Sequence, residues 1–380
     1  MKIRRIQIRH FRNLDSIELF PSTGLSWFFG PNGQGKTNLL EALYVALRGR
    51  SFRPYSSKSD WSPLPANGAR PEIRMEILDE RGFTTDCTFG MATSGSWEAT
   101  VNGKRISIGR VRSLIPIVAF SPDDHALIRW EPEVRRNFLD DMMSDVGPGY
   151  AEAHHRYQEA LKSRNRLLKS FEGKLAATVQ DELIAWSETL ANCGLELSKM
   201  RREMWPSFER NFLSIVEKLF EGTGSRLELS FAQDYEGPLS GESCLEHMLT
   251  GLQKDLDTGW THRGPHRDDF HVILNGADSR STASQGQSRL IALALKWAHG
   301  SWVYEERDEL PVFLVDDFSS EFDAQRREAL LSFLRSTKGQ VFVTGTDRSL
   351  VDSGTFCDYN LYSVRRGVVE PAKTHGEMNV

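Results

Sequence analysis

Gly30-Pro-Asn-Gly-Gln-Gly-Lys-Thr37 stands between the apolar Ser26-Trp-Phe-Phe29 and the helix-period run Leu39-Leu-Glu-Ala-Leu-Tyr-Val-Ala-Leu47. Gly, four residues, then Gly-Lys-Thr, between a strand and a helix, is the pattern of a phosphate-binding loop. Gly30, Gly33 and Gly35 can take backbone angles that a side chain would block, so successive N–H groups can curl around a phosphate. A helix starting near Lys36 adds the positive end of its dipole. Lys36 can then reach the terminal phosphates, and the Thr37 hydroxyl can hold a magnesium ion. A glycine-rich turn that merely caps a helix would need neither all four fixed positions nor both flanks. The chain is expected to bind a nucleoside triphosphate through Gly30, Pro31, Asn32, Gly33, Gln34, Gly35, Lys36 and Thr37.

What the nucleotide is used for must come from the rest of the 380 residues. That length allows a large core and two lobes. A net charge of −5 speaks against a uniformly basic surface, although local basic patches remain compatible with it. Cys87, Cys193, Cys244 and Cys357 are scattered without a CxxC pair, which suits a reduced cytosolic protein and speaks against a zinc site or disulfide framework. Met-Lys-Ile-Arg-Arg-Ile-Gln-Ile-Arg-His10 lacks the apolar centre of a signal peptide. Runs such as Ile115-Pro-Ile-Val-Ala-Phe120 are too short to cross a bilayer. A soluble cytoplasmic protein without a membrane role is expected.

Three changes of character divide the chain. To about Phe120 it reads mostly as β: Ile73, Met75 and Ile77 alternate with Glu72, Arg74 and Glu76. Trp97-Glu-Ala-Thr-Val101 and Arg105-Ile-Ser-Ile108 flank Asn102-Gly103, a strong hairpin signal. From about Glu133 to Gly222 the pattern is helical. Strands return from Arg226 in Phe270-His-Val-Ile-Leu274, Val312-Phe-Leu-Val315 and Val341-Phe-Val-Thr344. The last two, short and fully apolar, predict adjacent buried parallel strands joined by a crossover helix around Arg326 to Leu334.

Pro311-Val-Phe-Leu-Val-Asp-Asp317 is an apolar strand ending in two carboxylates, and strand ends are where α/β sheets place ligands. Asp316 is placed to bind magnesium, directly or through water, and Asp317 to orient or deprotonate an attacking water. The bland alternative is that both acids cap the next helix. Upstream, Ser284-Gln-Gly-Gln287 opens a long apolar helix. A hydroxyl and free N–H groups at a helix start make an anion site, although Ser-Gln-Gly is also an ordinary cap. A chain with one phosphate loop has little need of another in the same pocket, so this site is expected to meet the nucleotide of a second protomer.

Taken in order, Gly30–Thr37, Ser284-Gln-Gly-Gln287, Asp316-Asp317 and Ser320-Glu-Phe-Asp323 resemble the ABC-type ATPases. More closely, the chain resembles the RecF family of bacterial recombination mediators, in the SMC/Rad50-like group. That resemblance rests on Phe11-Arg-Asn-Leu14, Phe120-Ser-Pro-Asp-Asp124, Arg135-Arg-Asn-Phe-Leu-Asp140, Gly264-Pro-His-Arg-Asp-Asp269 and Ala292-Leu-Ala-Leu-Lys296, and spans nearly the whole chain. It implies an α/β ABC-type ATPase with a mixed β-sheet lobe at 1–125 and 256–372, an inserted mainly helical lobe at 126–255 and a tail at 373–380. It implies ATP and Mg2+ as cofactors, with Ser284, Gly286, Gln287 and Asp323 at the nucleotide of an ATP-dependent homodimer. It further implies binding to single-stranded or gapped DNA or duplex junctions, RecR and RecO as partners, and RecA loading in repair and replication restart.

Three departures from the ABC pattern imply slow hydrolysis suited to a timer or clamp. No glutamine occurs in Phe120–Asp124, Thr344-Gly-Thr-Asp347 stands where a histidine is usual, and Asp317 replaces the commoner glutamate. DNA contacts are expected among Arg135, Arg136, Arg156, Lys162, Arg164 and Arg166, since cations neutralise phosphates without reading sequence. Without the resemblance, the same charges read as a solvated helix face laced with Glu152 and Glu159. Arg12 could equally serve the nucleotide, since the expected pairing of the first strands brings it near the loop end of the sheet, and it is left unassigned. A transporter subunit would carry its signature much closer to the loop. An SMC or Rad50 protein would need long heptad-patterned arms, and a nuclease a further metal cluster.

Overall fold

The computed structural model describes residues 1–53, 56–61, 69–79, 81–112, 114–129, 132–170, 177–317, 328, 331–332, 334–335, 337, 339–346 and 358–372, without the side chains of 108 and 177–179. Two compact units divide the chain: Met1–His125 with Arg289–Val380, and Ala126–Ser288.

The first unit holds two sheets. In one, β1 (Lys2–Phe11), β2 (Leu14–Leu19), β4 (Glu72–Leu78), β5 (Thr84–Met91), β6 (Trp97–Val101) and β7 (Lys104–Ile106) run in the order β2-β1-β4-β5-β6-β7, every pair antiparallel. In the other, β3 (Leu25–Phe29), β8 (Ile117–Phe120), β12 (Val312–Val315), β13 (Val341–Gly345), β14 (Tyr359–Arg365) and β15 (Val368–Pro371) run in the order β15-β14-β3-β13-β12-β8. There β14, β3, β13, β12 and β8 are parallel, and β15 returns antiparallel. Asn102 and Gly103 turn the β6–β7 hairpin with φ of 48° and 75°, the left-handed pair of a type I′ turn. The second strand stops at Ile106, because Ile108 begins a short helix to Arg112 instead of continuing to pair.

The helix Lys36–Arg48 touches β1 and β4 of one sheet and β8 and β13 of the other. Leu39, Leu40, Ala42, Leu43, Val45 and Leu47 are all fully buried, which explains a run apolar on every side where a surface helix would show a single stripe. Ile6, Ile8 and Ile73 join Leu314 and Phe342 in the same core. β12 and β13 pair in parallel as their apolar runs predict. Of the expected crossover helix, Leu331 and Leu334 are helical and buried, and most of the segment lies outside the described residues. So do Cys357 and the tail at 373–380.

The second unit is led by the helices Pro132–Val146, Tyr150–Lys169 and Ala177–Leu219. Its small sheet orders β9 (Leu227–Ala232), β10 (Asp269–Leu274) and β11 (Ala277–Asp278) as β11-β10-β9, antiparallel. The second compact unit runs on past the expected return to the ATPase lobe at 256, as far as Ser288. Residues 256–288 pair with the inserted unit: β10 lies on β9, Thr261 binds Arg164, and Asp268 binds Arg201. Phe138, Trp205, Phe208 and Phe270 pack ring against ring at its centre. Among the described residues no helix is long and apolar enough to cross a membrane.

Candidate nucleotide site

Because β3, β13 and β12 are adjacent and parallel, their C-terminal ends face the same way and deliver three pieces of sequence to one edge. The loop Gly30–Thr37 follows β3, Thr344 ends β13, and Asp316-Asp317 follows β12. They enclose a cleft of about 380 Å3, closed by Phe52 and Arg53 on one side and by Ser121, Pro122 and Asp123 after β8 on another. That volume suits a small-molecule site.

Two glycines show why the loop needs no side chain there. Gly30 has φ of 156°, and a Cβ on it would meet the Val364 carbonyl oxygen at 2.3 Å. Gly35, at φ of 109°, precedes the first helical residue and leaves the N–H groups of the helix start unobstructed. Gln34 anchors the loop from behind: its side-chain oxygen accepts from Arg366 N at 2.8 Å and its carbonyl from Gly367 N at 2.9 Å. Lys36 curls over the loop and donates to the Gly30 and Pro31 carbonyls at 2.7 and 2.8 Å. Burial lowers its pKa, against the pull of Asp317 and Asp316. A phosphate would replace carbonyl partners by an anion and relieve that penalty.

Thr37 Oγ1 donates to Asp316 Oδ1 at 2.9 Å, and Thr344 Oγ1 donates to the same oxygen at 2.6 Å. Burial pushes the Asp316 carboxyl up, and these two hydroxyls pull it down. The Thr344 hydroxyl also accepts from Asp317 N at 2.9 Å, where Asp317 takes a left-handed φ of 48°. A non-glycine residue held there costs energy and re-aims its side chain at the strand end. The acids are thus pinned to the sheet edge beside the loop.

The cleft lining offers Lys36 and Arg53 as cations against Asp123, Asp316 and Asp317. Two positive side chains against three negative ones leave a deficit that a polyphosphate alone would worsen. A divalent ion held by Thr37 and Asp316 would correct it with the oxygen donors such an ion takes, so the residues fit Mg2+. Sequence reading missed Arg53 and Thr344. A single arginine in the turn after Gly49 has no spacing to mark it, and Thr344 is marked only by its place where a histidine is usual. Asp323 lies outside the described residues.

The signature lies in the second unit, at the start of the helix Gln285–Arg307. Ser284 Oγ accepts from Gln287 N at 3.2 Å while Gln287 Oε1 accepts from Ser284 N at 2.9 Å, a reciprocal cap. Ser284 and Gln285 remain exposed, with Gly286 half-buried behind them. Arg129 braces the turn through Ala283 O at 2.6 Å and Ser288 Oγ at 3.1 Å.

The basic residues of the helical unit divide sharply. Arg135, 2% exposed, forks onto Asp269 at 2.8 and 2.7 Å. Arg164, fully buried, holds Asp255 at 2.8 Å with Thr261 and Ser187. Expected as DNA contacts, both are instead turned inward onto carboxylates far along the chain. Arg156 is exposed but pairs with Glu196 at 2.7 Å and Glu152 at 3.1 Å. Arg136 is half-buried in a polar cavity of about 310 Å3 beside Tyr157 and His266. Lys162 and Arg166 remain on the surface.

Comparison with known proteins agrees with this geometry. The RecF/RecN/SMC N terminal domain family matches residues 2–369. Smc head domains share the fold, one from Pyrococcus furiosus superposing with a TM-score of 0.58 at 17% identity over 99% of this chain and 98% of that one. The protein is therefore an ABC-type ATPase of the SMC head class. DNA replication and repair protein RecF of Myxococcus xanthus is 34% identical over 379 residues, 97% of each chain. That of Heliobacterium modesticaldum is 33% identical over 353 residues, 91% and 92% of the two chains. A structure of the recombination mediator protein RecF-ATP in the RecFOR pathway matches with a TM-score of 0.86, 29% identity and 98% of both chains covered. The chain belongs to the RecF family of DNA replication and repair proteins, which sets the transporter alternative aside.

Proposed function

We propose that this protein binds ATP with Mg2+ in the cleft at the ends of β3, β13 and β12, and that ATP drives two copies to close on DNA. The observation that carries the reading is the 2.9 Å contact of Thr37 Oγ1 with Asp316 Oδ1 beside a phosphate loop. It joins residues 279 positions apart at the point where a magnesium–phosphate complex would be held. The ion would supply charge neutralisation and hold the terminal phosphate. Lys36 exchanges its loop carbonyls for phosphate oxygens, and the loop N–H groups fix the chain of phosphates. Asp317, pinned through Thr344, orients and deprotonates the attacking water. Its short side chain favours slow, switch-like hydrolysis, stimulated by DNA, without nuclease activity.

The exposed Ser284-Gln285 turn serves the second protomer's nucleotide, with Gly286 and Gln287 shaping the approach. DNA in single-stranded or gapped form, or at junctions with duplex, is the substrate class. Lys162, Arg166 and Arg136 are the remaining phosphate contacts of the original six, and Arg156 follows once Glu196 releases it. RecR-type and RecO-type mediators are the partners, RecA loading at damaged or stalled forks the outcome, and the cytoplasm the location.

Complementation tests the dimer. Ser284→Arg should bind ATP as a monomer but fail to associate, and Lys36→Met should lose ATP affinity by about 10–100-fold, the scale of a charged hydrogen bond. Mixing the two creates one site with an intact loop and an intact signature. Partial recovery of ATP-dependent association, read by light scattering, is expected. If Ser284→Arg instead weakens monomeric ATP binding as much as Lys36→Met does, the signature serves its own pocket and the clamp falls.

A further inference from the structure

Trp260 leaves 52% of its surface in water, whereas Trp27, Trp61, Trp205, Trp297 and Trp302 are buried. An exposed indole of that size calls for an occupant, because so large an apolar side chain is normally withdrawn from solvent. Its backbone is held on both sides. Gly259, at φ of 74°, ends the helix Leu252–Thr258, and a Cβ on it would meet Lys169 Cγ at 3.3 Å. Thr261 donates its N–H and its hydroxyl to Asn165 Oδ1 at 2.9 and 2.7 Å, and accepts from the buried Arg164 at 2.7 Å. The ring is therefore presented from a fixed turn. Over it stands Lys169 Nζ, 3.5 Å from the centroid.

Lys162, Arg166 and Lys169 are all exposed and follow one another at i, i+4 and i+7, on one face of the helix Tyr150–Lys169. Arg166 donates to Ser163 Oγ at 3.1 Å, and among the described residues none of the three makes an ion pair. From Lys162 to Lys169 the row rises about 10 Å along the helix, the span of about three nucleotides of a stacked strand. We propose that Trp260 is a stacking platform for an unpaired base, with Lys162, Arg166 and Lys169 taking phosphates of the same strand, so that this face selects single-stranded over duplex DNA. This rests on the DNA reading above and gives the single-stranded form a site of its own. Cations alone serve any phosphate backbone, whereas a ring needs a base whose face is open. Without DNA, Lys169 covers the ring. An exposed cation over an indole is worth roughly a factor of two to five, and a base stacked on an aromatic roughly five to 150. Lys169 also gains a phosphate when it yields the ring, so the exchange favours the strand. An aromatic face beside three unpaired cations complements a ligand that is anionic along its length and flat and apolar at its side, which describes unpaired nucleotides.

The test is anisotropy of labelled DNA with the full chain in saturating ATP and Mg2+. Three probes are compared: a thymidine strand, an abasic strand of equal length and charge, and a duplex. The parent should bind the thymidine strand about tenfold more tightly than the abasic one. Trp260→Ala should lose that preference and hold its abasic and duplex affinities within about twofold of the parent's. Trp260→Phe, which keeps an aromatic face, should restore most of it. Lys169→Ala should weaken both single strands and lower their salt slope by about 0.7, leaving the preference for bases in place. A parent that binds thymidine and abasic strands equally overturns the platform, as does a Trp260→Ala protein weakened alike on all three probes. A preference that survives Trp260→Ala assigns the ring to a protein partner and overturns it too. Failure of the parent to bind any of the three probes would instead sink the DNA reading itself.

Discussion

The nucleotide cleft and the core of the helical unit are both built around buried charge, and they treat it oppositely. In the helical unit each inward arginine meets carboxylates of the same unit: Arg135 on Asp269, Arg164 on Asp255, Arg201 on Asp140 and Asp268. In the cleft Lys36 rests on loop carbonyls, Arg53 stands off Glu41 at 3.5 Å, and Asp123, Asp316 and Asp317 exceed the cations facing them. Charge matched inside its own unit is architecture. Charge left in imbalance around an open cavity is a binding site, because only a ligand brings the missing partner.

The contrast breaks most visibly at Arg201, which is 1% exposed. Arg201→Met takes the shared arginine from two carboxylates and should cost about 3–5 kcal/mol of stability in urea unfolding. ATP affinity of the folded fraction should not change, and a large change in it would show that the helical unit's charges serve the site. At the cleft the reverse holds: Asp317→Asn removes a base from a half-buried position lining the cleft, so turnover should fall about 10²-fold in a coupled phosphate-release assay. Its melting temperature and ATP affinity should stay near the parent's. Unchanged turnover would move the base role to Glu321, which lies outside the described residues.

His266 sharpens the comparison through pH. Its Nε2–H donates to the Thr261 carbonyl at 3.0 Å, so Nδ1 accepts from the Tyr157 hydroxyl at 2.6 Å and the ring is neutral. Burial pushes its pKa down to about 4. The folded state then binds the proton less readily than the unfolded chain, whose imidazole titrates near 6.5. Its contribution is full above that value and fades as pH falls towards 4, by about 2–3 kcal/mol. Chemical denaturation of the parent and of His266→Gln across that range should show the parent's slope flattened in the variant.

The smallest effect separates surface cations that carry partners from those that do not. Lys162→Ala or Arg166→Ala should each lower the salt slope of DNA binding by about one counterion, measured by anisotropy at several ionic strengths. Arg156→Ala should change it less, since Glu196 already neutralises that guanidinium. Equal slopes for all three would mean that the helix Tyr150–Lys169 stands clear of the DNA.

Local pattern made the loop and both its flanks legible, because a phosphate cradle is built from consecutive backbone N–H groups whose glycines must stand in order. The parallel pairing of β12 with β13 could be read from two apolar runs for a similar reason: a strand buried on both faces has no room for polar residues. The hairpin at Asn102-Gly103 was fixed by the only residues that readily take its positive φ. Arg135, Arg164 and Arg166 carry no such mark. In sequence they form one basic series, and only the fold separates two buried ion pairs from a surface cation.

By itself, then, the sequence determined the nucleotide loop, the acids at the end of β12, the capped helix at Ser284 and the division into β-rich and helical regions. Each depends on neighbours within a few residues. Tertiary structure alone decided that residues 256–288 belong with the helices, that Thr344 binds the Asp316 carboxylate, and that Arg12 and Arg53 share Glu41. Those outcomes depend on which distant group supplies the opposite charge or the missing hydrogen bond once water is excluded. Spacing along the chain carries no record of that.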